Sequence, residues 1–289
     1  PIELYIHIPF CVKKCDYCDF LSFRALSSVH EAYVQQLIRE IIEDMPVEPD
    51  NVSEFVNDVL SEIGLVKGSM MEIEHYYATS CATSVFRDIY KQYVQRMENS
   101  RLIDFEDMLV YTWELFTQRK DILAAWQHKF QYILIDEFQD INLLQYKLIR
   151  MLALPQNNIF IVGDDDQSIY GFRGARPEIM LNFEKDFPEV KKVFLSVNYR
   201  SQAAIVRGAG CVIKNNKQRF DKQIRAARPE EEPIDIRVFQ SPADENAAVI
   251  REIRDYHGQG IPYHEMAVLF RTNTQARMLL EKMMEYNIP

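Results

Sequence analysis

The pattern of apolar and polar residues changes near residue 130. Before that point, apolar residues recur at helical spacing, which predicts helices over 28–43, 52–65, 82–98 and 104–118. After it, short apolar runs predict strands at 132–136, 159–164, 192–196, 234–239 and 266–270. Helical spacing between most of these runs predicts helices at 142–153, 202–216, 243–257 and 273–286. Strands alternating with helices indicate a parallel α/β sheet covered on both faces.

Shorter signals add one strand, one boundary and one helix cap to this outline. Residues 4–8 predict one more short strand, and the two prolines within 45–51 predict a boundary. Asp104 is a suitable N-cap for the helix that follows it, since acidic residues lie in that helix's first turn.

Length and composition are those of a soluble protein of about two domains. The chain has 289 residues, of which 47% are hydrophobic and 26% charged. Its apolar runs are all shorter than the roughly 18 residues that a membrane span needs. The N-terminus also lacks the pattern of a secretory leader, so we expect a cytoplasmic protein.

Charge is unevenly distributed along an acidic chain. The net charge is −10, which argues against a dedicated nucleic-acid coat protein. Between 198 and 228, however, Asp221 alone opposes eight basic residues: Arg200, Arg207, Lys214, Lys217, Arg219, Lys222, Arg225 and Arg228. Such a local basic face can track phosphates, although charge alone favours a solvated helix face.

The segment YILIDEFQD (132–140) places two acids at the end of a predicted strand. Ligands of open α/β sheets bind beyond the carboxyl ends of the strands. In nucleotide hydrolysis, one such acid could hold Mg²⁺ through its water shell while the other orients and deprotonates the attacking water. The alternative is an acidic strand end that faces solvent.

The segment FIVGDDDQSIYGFRGA (160–175) also follows a predicted strand. Gln167 carries a neutral amide that can sense a γ-phosphate without repelling it. Tyr170, Phe172 and Arg173 together suit a stacking platform for unpaired bases. The alternative is an acidic turn followed by core aromatics, which this long, ordered run disfavours.

The segment SVNYRSQAAI (196–205) joins a predicted strand to a helix for which Ser201 is a suitable N-cap. Arg200 at this junction could reach a phosphate as an arginine finger, and Tyr199 could stack on a purine. Taken by itself, this four-residue signal is weak.

In this order, the three segments resemble the UvrD-like family of superfamily 1 DNA helicases over about 45–289. The resemblance implies a P-loop NTPase-like (RecA-like) parallel sheet with a helical insertion. It implies ATP and Mg²⁺ as cofactors, and movement along single-stranded DNA. Asp136 would then hold Mg²⁺, Glu137 would activate water, and Gln167 would link the γ-phosphate to DNA. Other implied roles are adenine packing by Tyr199, γ-phosphate contact by Arg200, and DNA contact by Tyr170, Phe172 and Arg173.

The chain departs from this family in one essential respect. A phosphate-binding loop has the pattern G-x-x-x-x-G-K-S/T, but none of the nine glycines in this chain is followed by lysine. The family's later motifs would follow residue 289. The resemblance therefore implies an incomplete helicase with little or no ATPase activity by itself.

Cys11, Cys15 and Cys18 form C-x-x-x-C-x-x-C, a spacing that can hold three irons of a 4Fe–4S cluster. Alternatives are a zinc site completed by His7 or three unrelated thiols. Residues 2–42 resemble the start of HemN-like radical S-adenosylmethionine enzymes, which implies S-adenosylmethionine bound near Tyr5. This segment would supply one strand, loop and helix of a radical-SAM-type barrel, too little for reductive cleavage.

These resemblances predict four regions: 1–44 from the radical enzyme, 45–128 helical, 129–190 the RecA-like sheet, and 191–289 the start of a second motor domain. A chimera of two truncated genes, an assembly artefact or a designed fusion would each give this pattern. Besides a helicase fragment, the functions left open are a radical-enzyme remnant and a non-catalytic single-stranded DNA-binding module. Unpaired sheet edges would make the chain marginally stable or aggregation-prone.

Overall fold

The structure, a computed structural model, describes residues 3–6, 27–45, 47, 49–169, 174–229, 233–271 and 273–289. The strands within these residues are β1 (Glu3–Ile6), β2 (Tyr132–Ile135), β3 (Ile159–Ile161), β4 (Val197–Gln202) and β5 (Arg225–Arg228). The α-helices are α1 (Ser27–Glu43), α2 (Val52–Ser69), α3 (Thr83–Asn99), α4 (Phe105–Gln118), α5 (Lys120–Lys129), α6 (Leu143–Ala153), α7 (Pro177–Leu181), α8 (Phe183–Asp186), α9 (Ala203–Ile213), α10 (Pro242–Gly258) and α11 (Asn273–Glu285).

The chain divides into two units that are not continuous in sequence. Unit 1 comprises Pro1–Leu195 and Ile213–Gln223, and unit 2 comprises Ser196–Val212 and Ile224–Pro289. Residues 213–223 thus belong to unit 1, although the chain on both sides of them belongs to unit 2.

Side-chain caps start α2 and α4 of unit 1 where the sequence predicts these helices. The Asp104 carboxylate accepts a hydrogen bond from Asp107 N at 2.7 Å, and the Asp107 carboxylate accepts one from Asp104 N at 3.1 Å. This capping box confirms the predicted start of α4. Asn51 caps α2 in a similar way by accepting from Ser53 N and Glu54 N.

The first core of unit 1 joins α1 to α2 and α3. Ile38 and Ile41 of α1 are fully buried in one cluster with Val56 and Val59 of α2 and Phe86 of α3. Burying one such side chain contributes about 1.5–3 kcal/mol. The helix that the sequence resemblance assigned to a radical-enzyme segment therefore shares its core with the helical region after it.

The second core of unit 1 lies under a three-stranded parallel sheet of order β1-β2-β3. Ile133 and Ile135 of β2 point into this core, whereas Tyr132 and Leu134 between them are exposed. The parallel sheet is confirmed, but the prediction of cover on both faces is wrong for β2. Helices α6 and α8 pack against the Ile133 face, so the period-2 alternation of a strand leaves the opposite side chains in solvent.

Unit 2 contains a parallel pair, β4 and β5, and an apolar cluster between α10 and α11. Neither strand was predicted, since VNYRSQ and RAAR lack an apolar alternation. The strands predicted at 192–196, 234–239 and 266–270 are absent from these described residues. A strand is stable when a neighbour completes its hydrogen bonds, and within the described residues none of these three runs forms a ladder with another segment, although Ser196 O accepts one bond from Arg225 N.

None of the helices in the described part of the chain is both long enough and apolar enough to span a bilayer.

Candidate functional site

The carboxyl ends of β2 and β3 meet at one edge of the parallel sheet. Ile135 pairs with Ile161, and Val162 N donates to Ile135 O at 2.8 Å just beyond the last strand residues. Phe138 N then donates to Val162 O at 2.9 Å, which keeps the two outgoing loops together. Asp136 and Glu137 lie on the first of these loops and are both exposed.

The backbone at Glu137 has an unusual conformation. Its φ of 50° and ψ of 43° lie in the left-handed region, which non-glycine residues rarely adopt. Asp136 Oδ1 accepts a hydrogen bond from Glu137 N at 2.9 Å, which holds the two acids in a fixed local arrangement. Strain of this kind is found often at ligand sites.

Gln139 connects the loop after β2 with the loop after β3. Its side chain is 1% exposed, and its amide Nε2 donates to Glu137 Oε2 at 2.8 Å. Its Oε1 accepts from Asp164 N at 2.9 Å. Gly163 makes room for this contact, because a Cβ there would lie 2.5 Å from Gln139 Oε1.

Gln167 ends a short 3-10 turn that Asp164 caps. Asp164 accepts hydrogen bonds from Asp166 N at 3.2 Å and from the Gln167 side-chain Nε2 at 3.1 Å. A continuous series of hydrogen bonds therefore runs from Glu137 through Gln139 and Asp164 to Gln167. We call this series the amide relay.

Two basic residues neutralise the acids of the same turn. Arg219 binds Asp166 through two hydrogen bonds of 2.7 Å, and Lys222 contacts the carboxylates of Asp164, Asp165 and Asp166. The interpretation of 198–228 as a solvated helix face is thus wrong for these two side chains, and so is their use as free phosphate contacts. Both follow α9 rather than lying on it, and both are already ion-paired.

The ion pairs change the proton affinities of these groups in the expected directions. The hydrogen bonds from Arg219 lower the pKa of Asp166. Burial by itself lowers the pKa of Lys222, but its hydrogen bonds to Asp164 and Asp165 outweigh burial and raise it overall. Asp140 behaves oppositely, because desolvation and the nearby Glu137 carboxylate raise its pKa.

Tyr199 and Arg200 lie on β4 of unit 2, with both side chains exposed. The Asn198 carboxamide oxygen accepts from Arg200 N at 2.9 Å and from Ser201 N at 2.8 Å. Helix α9 begins at Ala203, so the prediction that Ser201 caps it is wrong. Asn198 makes the local side-chain turn instead, because its amide can bond backbone groups two and three residues on.

Six predicted site residues lie outside the described residues: Cys11, Cys15, Cys18, Tyr170, Phe172 and Arg173. Within the described part of the chain, no group of three or more His, Cys, Asp or Glu side chains is arranged to hold a metal ion. Magnesium binding by Asp136 therefore stays a prediction.

Sequence reasoning missed Gln139, and it placed Arg219 and Lys222 in a basic face without predicting their ion pairs with the acidic turn. Gln139 had a local signal, because it stands between the apolar residues Phe138 and Ile141, both fully buried. Arg219 and Lys222 had a weaker signal: three consecutive acids, of which Asp165 is buried, need cations, but nothing local identifies which cations these are.

The geometry describes an α/β domain with acids and glutamine side chains at the carboxyl edge of a parallel sheet, an arrangement common among nucleotide-dependent proteins. Residues 16–188 match the UvrD/REP helicase N-terminal domain, and residues 193–289 match the UvrD-like helicase C-terminal domain. The chain therefore belongs to the UvrD-like helicase family. The first match begins inside the region assigned by resemblance to a radical enzyme, and both matches are to helicase domains.

Individual relatives agree with this family. The chain is 40% identical over 238 residues to YjcD of Bacillus subtilis, an ATP-dependent DNA helicase by its name, covering 81% of this chain and 31% of the relative. It is 38% identical over 253 residues to the ATP-dependent DNA helicase PcrA of Staphylococcus aureus, covering 88% of this chain and 34% of the relative. PcrA of Staphylococcus epidermidis is 37% identical over 250 residues, with coverages of 86% and 34%. The chain thus spans about a third of the length of these curated relatives.

Proposed function

We propose that this chain supplies nucleotide-sensing and single-stranded DNA contacts of an ATP-dependent DNA helicase. The observation that carries the proposal is the amide relay, since it joins Glu137 after β2 to Gln167 after β3. Membership of the UvrD-like family and the names of its relatives support the same function.

The acids and the relay have separate roles in this proposal. Asp136 holds Mg²⁺, and Glu137 orients and deprotonates the attacking water. Exposed carboxylates suit such a hard cation, which prefers oxygen ligands. Gln167 contacts the γ-phosphate through its neutral side-chain amide. It couples the presence of that phosphate to the position of the DNA-contacting residues.

The remaining roles follow the family resemblance. Tyr199 packs on adenine, and Arg200 contacts the γ-phosphate as ATP is hydrolysed. Tyr170, Phe172 and Arg173 contact single-stranded DNA by stacking and charge.

The residues of this chain fit a nucleotide only in part. They include no Gly-Lys pair, so the backbone cradle and lysine that hold β- and γ-phosphates are not among them. This favours a second candidate function, DNA binding without ATP turnover. The two candidates differ in one measurement, since DNA-dependent ATP hydrolysis by the purified chain would exclude the second.

Binding of a fluorescent single-stranded oligonucleotide tests the proposal. We expect affinity to fall linearly on a logarithmic salt scale, because phosphate contacts release counterions. Phe172→Ala should weaken binding about tenfold, as loss of one base-stacking aromatic costs about 1–3 kcal/mol. Tyr77→Ala is the matched control, because Tyr77 is exposed in the helical region and carries no proposed DNA contact.

Two results would contradict the proposal. One is an absence of salt-dependent binding by the folded chain. The other is equal binding by Phe172→Ala and the unmodified protein.

A further inference from the structure

Three consecutive acids at the end of β3 are held by two cations that come from far along the chain. Lys222 Nζ lies within ion-pair distance of Asp164, Asp165 and Asp166, and Arg219 chelates Asp166 with both carboxylate oxygens engaged. The side chains of Asp165 and Lys222 are 2% and 9% exposed, so water screens this contact poorly. We call Arg219 and Lys222 the basic clamp.

The clamp is fixed by further contacts of the same segment. Phe220 N donates to Asp165 Oδ2 at 2.7 Å. The Phe220 ring meets Phe194 edge-on at 6.0 Å, and Lys192 Nζ lies 4.4 Å from the Phe220 ring centroid. Since these contacts do not depend on Arg219 or Lys222, they orient the segment toward the acidic turn by a second means.

The clamp shares a partner with Gln167. Asp164 accepts from Lys222 Nζ through Oδ1 and from Gln167 Nε2 through Oδ2. One carboxylate therefore connects the cation to the amide that we propose senses the γ-phosphate. Loss of Lys222 would leave Asp164 and Asp165 uncompensated, at the sheet edge where a polyanion is proposed to bind.

We propose that Lys222 and Arg219 are positioning residues for Gln167. They hold the turn so that the Gln167 side-chain amide, rather than three unpaired carboxylates, faces the terminal phosphate. Lys222 also offsets the acidic charge that would otherwise disfavour a triphosphate over a diphosphate. This inference rests on the proposed function, because it assigns the clamp to that same site.

Two measurements on the full chain test the proposal. Hydrogen exchange reports the turn directly, because Gln167 N donates to Asp164 O at 2.9 Å and Ser168 N donates to Asp165 O at 3.2 Å. Titration with fluorescent ATP and ADP analogues in the presence of Mg²⁺ reports selectivity for the triphosphate.

We expect Lys222→Met to raise exchange at 164–168 at least tenfold while exchange in α3 stays unchanged. It should also lower the ATP-to-ADP affinity ratio about tenfold, whereas a purely structural role would weaken both nucleotides equally. Lys222→Arg should restore both values. Lys217→Met removes the same charge from an exposed position of the same segment, and we expect it to leave both unchanged.

The outcomes are separable. If amide hydrogens of residues 164–168 exchange at the same rate in Lys222→Met and Lys217→Met, the clamp does not position the turn and the inference fails. If the unmodified chain binds neither nucleotide, the proposed nucleotide contact fails, while exchange still decides whether the clamp orders Gln167. If Lys222→Met does not fold, Arg219→Gln carries the test, because it leaves Lys222 on the buried Asp165.

Discussion

At the scale of single residues, a second buried group of ion pairs in unit 1 lies outside the site. Lys67 Nζ contacts Asp104 Oδ2 at 2.5 Å and Asp107 Oδ1 at 2.6 Å, and Tyr93 donates its hydroxyl to Asp104 Oδ2 at 2.9 Å. Burial alone lowers the pKa of Lys67, but the charge of Asp104 and the hydrogen bonds raise it overall. The lysine is therefore charged in the folded protein.

Lys67→Met should lower the free energy of unfolding by about 3–5 kcal/mol, because it leaves two desolvated carboxylates without their cation. Urea unfolding monitored by circular dichroism measures this change. Lys91→Met is the control, since its pair with Glu74 is exposed and its loss should change the free energy of unfolding far less. Equal effects of the two substitutions would show that burial of the first pair does not matter.

A pH dependence follows from Asp166. Its pKa is lowered in the folded state, so its ion pair stabilises the fold fully above the unfolded pKa of about 4. That stability is lost as pH falls through the lower, folded pKa. Between pH 6 and pH 3, the unmodified chain should therefore lose more unfolding free energy than Asp166→Asn does. Parallel losses in both proteins would assign the acid sensitivity to other groups.

At the scale of elements, two glycines of α2 make a matched pair. A Cβ at Gly68 would lie 2.7 Å from Asn142 Nδ2, in the side chain that caps α6, whereas a Cβ at Gly64 would meet Glu106 Oε1 at an ordinary 3.6 Å. The same substitution should therefore have opposite effects at the two positions.

Gly64→Ala should stabilise the chain by about 0.5–1 kcal/mol through helix propensity. Gly68→Ala should destabilise it by about 1–2 kcal/mol, because the new methyl group displaces a capping side chain. Thermal unfolding of both variants measures the difference. A stabilising Gly68→Ala would mean that Asn142 moves aside at little cost.

The sequence predicted helices better than strands for a physical reason. Helix α4 depends on its own periodicity and on the cap at Asp104, so all its signals are local. The run at 234–239 has the composition of a strand, but a strand also needs a partner, which local sequence cannot supply. The site divides in the same way. Asp136 and Gln167 follow recognisable apolar runs, whereas Lys222 reaches Asp165 across 57 residues.

At the scale of the whole molecule, the three predicted strands that do not form leave apolar side chains exposed to solvent. Val238 and Leu269 are each 94% exposed, and Ile236 and Leu195 are exposed at 84% and 83%. Exposed apolar segments of this kind promote association between chains. If the chain is prone to aggregate, we therefore expect these exposed side chains to form the associating surface.

Val238→Lys and Leu269→Lys should each reduce light scattering at raised temperature while changing unfolding free energy by less than about 0.5 kcal/mol. Ile250→Lys is the contrasting variant, because Ile250 is 2% exposed and a charge there should unfold its cluster. Unchanged scattering in both surface variants would place the association surface elsewhere.

The chain passes between its two units three times, after Leu195, after Val212 and after Gln223. No single cut can therefore separate the units cleanly. A fragment that ends at Leu195 keeps Asp164–Asp166 and loses Arg219 and Lys222, so it carries three acids without the two cations that pair with them in the intact chain. A fragment that begins at Ser196 keeps residues 213–223 but lacks the acids with which Arg219 and Lys222 pair. Dissection, grafting or recombination of this protein must therefore respect all three crossings, since a cut after residue 223 would in turn part β4 from β5.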